Sequence, residues 1–404
     1  MIRSLYLHIP FCERKCEYCD FASVAGLHGQ AAYVDALRAE LRGLGAALDG
    51  AVLETVFVGG GTPGLLPPGQ LAAILAELRA CFRLAPGAEV TVEANPSSTS
   101  EARAEAWLEA GASRVSIGVQ SLEPDVLRFL GRVHGPEQAL QALAAVRRAG
   151  FERINADLIY AVPGLDDARW RRTLERVLAL DCGHLSCYEL TVEEGTPLHG
   201  AVARGVVRVV DAETAIGQHW TAVDTAAAAC YMQYEVSNLA RPGHECRHNL
   251  AYWANDFYAA AGVGAHAHLP AAAATALGIG DGPGDAATPA AVRCWHVREP
   301  DRYVAVMAAG LLPIAGTESL DAVQSESERI MLGLRRTAGV CLDDPGAAAE
   351  AARLAYLGLL DWDGRIARAT RRGQEVLNEL AARLTGALRG SYPGQLEHTS
   401  MDKS

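Results

Sequence analysis

Lysine is almost absent from this sequence. Only Lys15 and Lys403 occur, whereas arginines number 34 and are scattered along the chain. Acidic residues outnumber basic ones, 48 to 36, which gives a formal net charge of −12. Proteins that bind nucleic acid usually display a basic stripe or patch. The charge pattern therefore argues against a nucleic-acid partner.

The sequence also lacks long apolar runs and a recognisable leader. The alanine-rich runs at residues 226–229 and 271–274 are too short to span a bilayer. The first residues do not combine a basic segment, a long apolar stretch and a small-residue cleavage site, as a signal peptide would. We therefore predict a cytoplasmic protein.

The ten cysteines do not form a disulfide-like framework, and no pair of C-x2-C knuckles suggests a zinc site. In a reducing compartment most of them are predicted to be packed thiols. These are Cys81, Cys182, Cys187, Cys230, Cys294 and Cys341.

Three cysteines nevertheless cluster near the start of the chain, where residues 5–21 spell LYLHIPFCERKCEYCDF. Cys12, Cys16 and Cys19 have the spacing C-x3-C-x2-C and directly follow an apolar run that predicts a buried strand. Three thiolates on one short loop suit a [4Fe-4S] cluster with one iron left open. The open iron can bind a small chelator, such as the amino and carboxylate groups of S-adenosylmethionine. The alternatives are structural cysteines or a partial zinc site.

The spacing and its flanks resemble the radical S-adenosylmethionine superfamily. The segment from Tyr6 to Cys12, YLHIPFC, is similar to the oxygen-independent coproporphyrinogen dehydrogenases and their relatives, the HemN and HemW group. The dehydrogenases carry a fourth cysteine two positions after the third, where this chain has Phe21. They also have a long segment before the cluster loop, whereas here the strand starts within the first residues. Both departures match the HemW branch, which is regarded as a haem chaperone.

Alternating strand and helix patterns predict the fold as far as residue 190. Such alternation indicates a parallel sheet with helices on its outer face. Six units are too few for an eight-fold barrel, so we expect an α/β fold with an open partial (β/α)6 barrel, as the resemblance also implies. The predicted strands are residues 5–9, 51–58, 88–94, 114–118, 153–160 and 184–190.

Polar residues follow several of these strands, at the edge where barrels of this kind hold their sites. Glycines at residues 59–61 allow a ligand to approach the backbone, although a tight turn is the ordinary explanation of such a run. The other polar residues at these strand ends would ordinarily be explained as strand-end caps or surface ion pairs. The resemblance assigns the set to S-adenosylmethionine: Tyr6, Tyr18, Gly60, Gly61, Thr62, Glu93, Gln120, Arg132 and Asp157.

A second stretch, residues 240–253, spells ARPGHECRHNLAYW and resembles the HemW signature H-N-x-x-Y-W. Histidine and cysteine can ligate haem iron, and aromatic rings offer flat faces to a macrocycle. The alternative is a histidine that caps a loop against a packed tryptophan. The haem-binding candidates are His248 first, then His244, Cys246, Asn249, Tyr252 and Trp253.

The rest of the chain predicts a loose loop at residues 271–291 and a small C-terminal winged-helix-like unit. Its elements are a helix from residue 326, a helix at 345–357, a polar hinge at 361–364 and a helix at 369–384. We predict a barrel at residues 1–235, a haem-binding connecting region at 236–320, the C-terminal unit at 321–385 and a disordered tail at 386–404.

The resemblance implies a radical S-adenosylmethionine haem chaperone with a [4Fe-4S] cluster and S-adenosylmethionine as cofactors. Its partners would be haem, haem-accepting proteins such as respiratory ones, and transiently a membrane. The main alternative is an enzyme that decarboxylates the propionates of coproporphyrinogen III. A third hypothesis, radical modification of tRNA, is disfavoured because the chain has no basic patch.

Overall fold

The computed structural model describes residues 1–279 and 289–388. Its first part alternates strands with helices. The strands are β1 (Ser4–Ile9), β2 (Phe11–Cys12), β3 (Val24–Ala25), β4 (Val52–Gly60), β5 (Arg83–Ala94), β6 (Arg114–Gln120), β7 (Arg153–Tyr160) and β8 (Gly183–Glu189). The helices are α1 (Gln30–Ala47), α2 (Pro68–Cys81), α3 (Glu101–Glu109), α4 (Pro124–Phe129), α5 (Pro136–Arg148) and α6 (Asp167–Leu178).

Six of these strands, β1 and β4 to β8, lie side by side in chain order and run parallel. Their apolar character follows from burial on both faces, since helices cover one face and the barrel interior lies on the other. All six residues of β1 are buried. The predicted open six-unit barrel is therefore confirmed, and all six predicted strands are present.

The outer helices turn an apolar stripe toward the sheet, as α6 illustrates. Its side chains Trp170, Leu174 and Val177 recur at helical spacing and are buried. The side chain of Asp166 accepts a hydrogen bond of 2.8 Å from the backbone N–H of Arg169 and thus caps the helix start.

The sheet continues beyond the six parallel strands on both sides. The additional strands are β9 (Met232–Glu235), β10 (Asn238–Ala240), β11 (Tyr258–Ala261), β12 (His266–Leu269), β13 (Ala291–His296) and β14 (Ile314–Leu320). The helices of this part are α7 (Pro197–Ala203), α8 (Ala212–Ala228), α9 (Arg247–Trp253), α10 (Ala271–Ala276) and α11 (Pro300–Ala308).

These additions keep the barrel open. Strand β10 pairs antiparallel with β8 and ends the parallel series, while β11 joins the other side of β1 in parallel and leads into the antiparallel strands β12 to β14. The sheet thus runs on across the predicted division at residue 235, which remains a prediction. The predicted loop at residues 271–291 is partly wrong, because residues 271–276 form a helix, as their alanine content favours. Residues 280–288 lie outside the described part.

The C-terminal unit has an apolar core of its own, separate from that of the barrel. It contains a three-stranded antiparallel sheet, and the predicted polar hinge at 361–364 covers the end of one hairpin strand and the start of the turn. The elements are α12 (Ala322–Gly333), β15 (Val340–Cys341), α13 (Pro345–Tyr356), β16 (Leu360–Trp362), β17 (Ile366–Ala369), α14 (Arg371–Gln374) and α15 (Leu377–Gly386).

The expected helix at residues 369–384 is divided in this unit. Residue 369 belongs to the hairpin, the side chain of Thr370 caps α14, and α15 begins only at Leu377. The predicted division near residue 320 stays a prediction, and the predicted tail lies outside the described residues from 389 onward. Within the described ranges, no helix is both long and apolar enough to cross a membrane.

Candidate functional site at the barrel mouth

The carboxyl ends of the parallel strands define one edge of the barrel, the mouth. Strand register places Ile9 beside Gly60 at this edge, and Tyr160 beside Glu189. The cysteine loop leaves β1 at the mouth, so the structure brings the predicted cluster ligands to the edge where barrel sites are found.

The cysteine loop is held at both ends by backbone hydrogen bonds. The N–H of Gly26 donates to the carbonyl of Cys12 over 2.7 Å, and the N–H of Thr62 donates to the carbonyl of Phe11 over 2.8 Å. The ring of His8 contacts the carbonyl oxygen of Ala22 at 2.9 Å. These contacts hold the loop against the end of β4.

Cys12, Cys16 and Cys19 are all free and half-buried. Burial raises the pKa of the Cys19 thiol to about 11, and the neighbouring thiols Cys16 and Cys12 add to the rise. All three thiols therefore belong to one loop in which their charges influence one another. Iron would displace their protons, since the thiolate is the ligand form.

The chemistry of this donor set fits a [4Fe-4S] cluster better than a single ion. Among the described residues, no three His, Cys, Asp or Glu side chains are arranged to hold one metal ion. A cubane cluster binds each thiolate at a different iron, so its ligands need no common centre. Arg132 Nη1 lies 3.4 Å from Cys16 Sγ, and Thr62 Oγ1 lies 3.7 Å from Cys12 Sγ, so both can donate to the sulfurs.

The glycine run packs tightly against the cysteine loop. A Cβ at Gly60 would lie 2.5 Å from the His8 ring, and a Cβ at Gly61 would lie 2.7 Å from the carbonyl carbon of Pro10. Gly60 also has φ +105°, a conformation that favours glycine. This tight packing requires glycine and is the ordinary structural explanation of the run; contact of these glycines with a ligand stays a prediction.

Two carboxyl groups lie inside the mouth. Glu93 ends β5 half-buried, and burial together with the charge of Asp157 raises its pKa to about 8. Asp157 accepts hydrogen bonds of 2.8 Å from Ser116 Oγ and from Asn155 Nδ2, and burial raises its pKa as well. Glu93 offers a hydrogen-bonding group to a ligand with neighbouring hydroxyls, such as a ribose.

Asn95 is a mouth residue that sequence analysis did not single out. Its Nδ2 donates to Thr62 Oγ1 over 2.8 Å, and its Oδ1 accepts from Arg132. Asn95 therefore links Thr62, which contacts Cys12, to Arg132, which contacts Cys16. The sequence does indicate a residue at the mouth here, because Asn95 lies two residues after Glu93, in an Asn-Pro turn at the end of a strand.

Of the remaining predicted residues, Gln120 ends β6 in a left-handed conformation with φ +64°, at a break in the register with β7. Such strain in a non-glycine residue is concentrated at functional sites. Tyr18 lies half-buried in the cysteine loop. Tyr6 is buried deeper in the barrel, where its hydroxyl bonds His8 Nδ1 at 3.1 Å and its ring stacks on Phe57.

The haem candidates do not lie at the mouth, and their role in haem binding stays a prediction. His248 is fully buried, and its Nδ1 is 2.8 Å from Oγ1 of Thr55. Thr55 is aligned with Ser4, the first residue of β1, so this contact lies at the amino ends of the strands. The segment from His244 to Trp253 therefore packs at the base of the barrel, opposite the cysteines.

The other members of that segment are also engaged at the base. Cys246 is fully buried, with its Sγ 3.6 Å from Glu89 Oε1. Tyr252 packs edge-on against His248, and Trp253 lies beneath the guanidinium of Arg335 from the C-terminal unit at 5.8 Å. His244 and Asn249 are half-buried. Since His248 and Cys246 have no exposed surface, this arrangement offers no open face to a macrocycle.

Comparison with known proteins places the chain among its relatives. Residues 6–177 match the radical SAM superfamily. Heme chaperone HemW of Mycobacterium tuberculosis strain CDC 1551 / Oshkosh is 38% identical over 390 residues, which is 95% of this chain and 94% of the relative. Heme chaperone HemW of Escherichia coli strain K12 is 40% identical over 264 residues, 65% of this chain and 68% of the relative.

The solved structure of coproporphyrinogen III oxidase (HemN) from Escherichia coli, a radical SAM enzyme, shares the fold with a TM-score of 0.78. It is 21% identical, and the match covers 96% of this chain and 91% of the oxidase. The full-length similarity to the heme chaperones shows that this chain belongs to the HemW family of radical S-adenosylmethionine proteins.

Proposed function

We propose that this protein binds a [4Fe-4S] cluster and S-adenosylmethionine at the barrel mouth and carries haem to acceptor proteins. The observation that supports the proposal most directly is the convergence of three free thiols with Thr62, Arg132 and Glu93 at one edge of the barrel. Similarity to heme chaperones over almost the whole chain supports the choice of haem as cargo.

Different residues would bind each of the two proposed cofactors. Cys12, Cys16 and Cys19 would hold three irons, and the fourth iron would be left for the amino and carboxylate groups of S-adenosylmethionine. The cluster, when bound and reduced, supplies an electron to the bound sulfonium. Glu93 would accept hydrogen bonds from the ribose, while Arg132 and Asn95 would hold the loop and the ligand in place.

The proposed setting is the reducing cytoplasm. All ten cysteines are free, and such thiols persist in a reducing compartment. The acidic net charge and the scarcity of lysine favour a protein or haem partner over nucleic acid. The proposed acceptors are haem proteins, respiratory ones included, reached during transient contact with a membrane.

One experiment separates chaperone from dehydrogenase. The protein is reconstituted with iron and sulfide under anaerobic conditions and titrated with haem, while coproporphyrinogen III turnover is assayed in parallel with S-adenosylmethionine and a reductant. We expect a shifted, saturable Soret band and no protoporphyrinogen IX. Catalytic conversion of coproporphyrinogen III would overturn the chaperone proposal, and so would the absence of haem binding.

A further inference from the structure

Asn95 is hydrogen-bonded to two residues that each reach a different cysteine. Its side-chain amide contacts Thr62 Oγ1 at 2.8 Å and, on its other side, Nη2 of Arg132. Thr62 Oγ1 in turn lies 3.7 Å from Cys12 Sγ. Arg132 Nη1 lies 3.4 Å from Cys16 Sγ. One amide group is therefore connected to two of the three predicted cluster ligands.

The orientation of this amide follows from the chemistry of its partners. A guanidinium has only N–H donors, so the amide atom that faces Arg132 must be the oxygen, Oδ1. The NH2 group, Nδ2, must then face Thr62 and donate to its hydroxyl oxygen. Because the hydroxyl oxygen accepts this bond, the single hydroxyl proton is left for donation to Cys12 Sγ. The amide therefore decides in which direction the Thr62 hydroxyl donates.

Asn95 is itself held firmly at the mouth. Its backbone N–H donates to Ser98 Oγ over 3.3 Å, and its carbonyl accepts from Thr99 Oγ1 over 2.8 Å. The close approach to Arg132 depends on Gly118, since a Cβ at this glycine would lie 2.8 Å from Asn95 Oδ1. The side chain of Asn95 is thus fixed in the position from which it orients both donors.

We propose that Asn95 is a positioning residue that raises the reduction potential of the cluster by directing the Thr62 hydroxyl to Cys12 and the Arg132 guanidinium to Cys16. This inference rests on the proposed function, which supplies the cluster. Hydrogen bonds to the cysteine sulfurs are among the factors that set the potential of an iron–sulfur cluster. They stabilise the reduced state more than the oxidised state, because reduction adds negative charge to the cluster. Losing such a bond should therefore lower the potential.

The test is a redox titration of the reconstituted full-length protein without S-adenosylmethionine, followed by the electron paramagnetic resonance of the reduced cluster. Asn95→Asp replaces the NH2 donor by an acceptor, so the Thr62 hydroxyl should donate to the new carboxylate instead of to Cys12, while Arg132 stays bound. Thr62→Val removes the hydroxyl at nearly the same shape. Each variant should change the one-electron reduction equilibrium by about threefold to tenfold, which lowers the midpoint potential by about 30–60 mV. Thr62→Ser keeps the hydroxyl and should keep the wild-type potential.

A double variant separates the hydroxyl from the negative charge that Asn95→Asp adds. In the Thr62→Val background, Asn95→Asp should lower the potential less than it does in wild type, because the hydroxyl that it reorients is gone. The control Asn378→Asp adds the same charge at an exposed residue of the C-terminal unit, whose Oδ1 accepts from Arg335. This control should leave the potential unchanged.

Equal shifts for Asn95→Asp in both backgrounds would show that charge alone acts, and the inference would be wrong. A wild-type potential in Thr62→Val would overturn it as well. Iron content is measured first in every variant, and Asn95→Ala replaces Asn95→Asp in the cycle if the latter loses its cluster. Cluster loss in Thr62→Val but not in Thr62→Ser would support the role of the hydroxyl, whereas loss in both would contradict it. If wild type holds its cluster and these variants fail to shift the potential, the proposed function stands; if wild type binds no cluster, both fail.

Discussion

The backbone N–H of Gly60 donates a hydrogen bond of 3.1 Å to Oε2 of Glu93, joining the end of β4 to the end of β5 at the barrel mouth. The contact makes the glycine run and the acidic residue one unit. The same glycine lies against the ring of His8, at the start of the cysteine loop. Changes at these positions should therefore affect cofactor binding and stability in separable ways.

Glu93→Gln should weaken S-adenosylmethionine binding while the fold is kept, because glutamine has nearly the same shape and can still accept from Gly60. The amide NH2 of glutamine cannot accept from a hydroxyl, and each hydrogen bond lost to the ribose should reduce the binding free energy by about 0.5–1.5 kcal/mol. Isothermal calorimetry on the reconstituted protein measures the affinity, with the exposed Glu109→Gln as a control. Equal affinity in Glu93→Gln and wild type would exclude this role.

The raised pKa of Glu93 predicts a pH dependence of stability. The native carboxyl has a pKa of about 8, compared with an ordinary value of 4.5. Between these values the native state keeps a proton that the unfolded chain has lost, so the free energy of unfolding should fall as pH rises from about 4.5 to 8. Denaturant titrations of the cofactor-free protein at several pH values should show a smaller decline for Glu93→Gln than for wild type. Parallel declines would contradict the prediction.

Gly60→Ala should destabilise the protein more than the same change at a glycine with open surroundings. The new Cβ would lie 2.5 Å from His8, whereas at Gly87, which also has positive φ (+69°), no heavy atom lies within 4 Å. Both variants bear the strain of the backbone conformation, and Gly60→Ala adds an overpacking penalty of about 1–3 kcal/mol. Urea unfolding measures the difference, and equal losses would show that the His8 contact relaxes freely.

Each of Cys12→Ala, Cys16→Ala and Cys19→Ala should abolish the cluster, since a cube held by three thiolates has no spare ligand. Iron content should fall from about four per chain toward zero, and the broad visible absorption should disappear. Cys230→Ala, which removes an exposed thiol elsewhere, should keep the full iron content. Retention of a complete cluster in all three loop variants would exclude these ligands.

His248→Ala should lower stability and leave haem binding unchanged. The side chain is fully buried, hydrogen-bonded to Thr55 and stacked on Phe57 at 5.3 Å. Removing a buried aromatic side chain typically costs about 3–5 kcal/mol, and the exposed His28→Ala should cost almost nothing. Unfolding and Soret titrations are made on the same samples. A shifted Soret band with unchanged stability would contradict the prediction and would show that this segment takes part in haem binding.

The parallel barrel could be predicted from sequence because its strands are apolar runs that alternate with amphipathic helices. The strands β11 and β12 could not, since YAAA and HAHL lack the branched residues that mark a strand. Small side chains suit β11 because this strand lies between β1 and β12 and also contacts helix α1.

The two functional stretches differ in how far sequence could place them. The cysteine loop follows directly from a predicted strand, so its position at the mouth was determined by chain connectivity. The segment around His248 is positioned by contacts with Thr55 and Glu89, which are far away in the chain. A buried, hydrogen-bonded histidine and an exposed histidine ligand look the same in a sequence, and only the packing in the structure distinguishes them.

The pairing of β1 with β11 has a consequence for how this protein is made. Ser4 is aligned with Tyr258, so the strand that carries the cysteine loop gains its second neighbour only after the whole parallel barrel has been synthesised. Contacts between such distant parts of a chain form slowly. During translation β1 therefore remains a sheet edge, which is prone to mispairing. Cluster insertion before β11 has been synthesised would act on an incompletely supported loop, which favours loading after β11 has paired with β1.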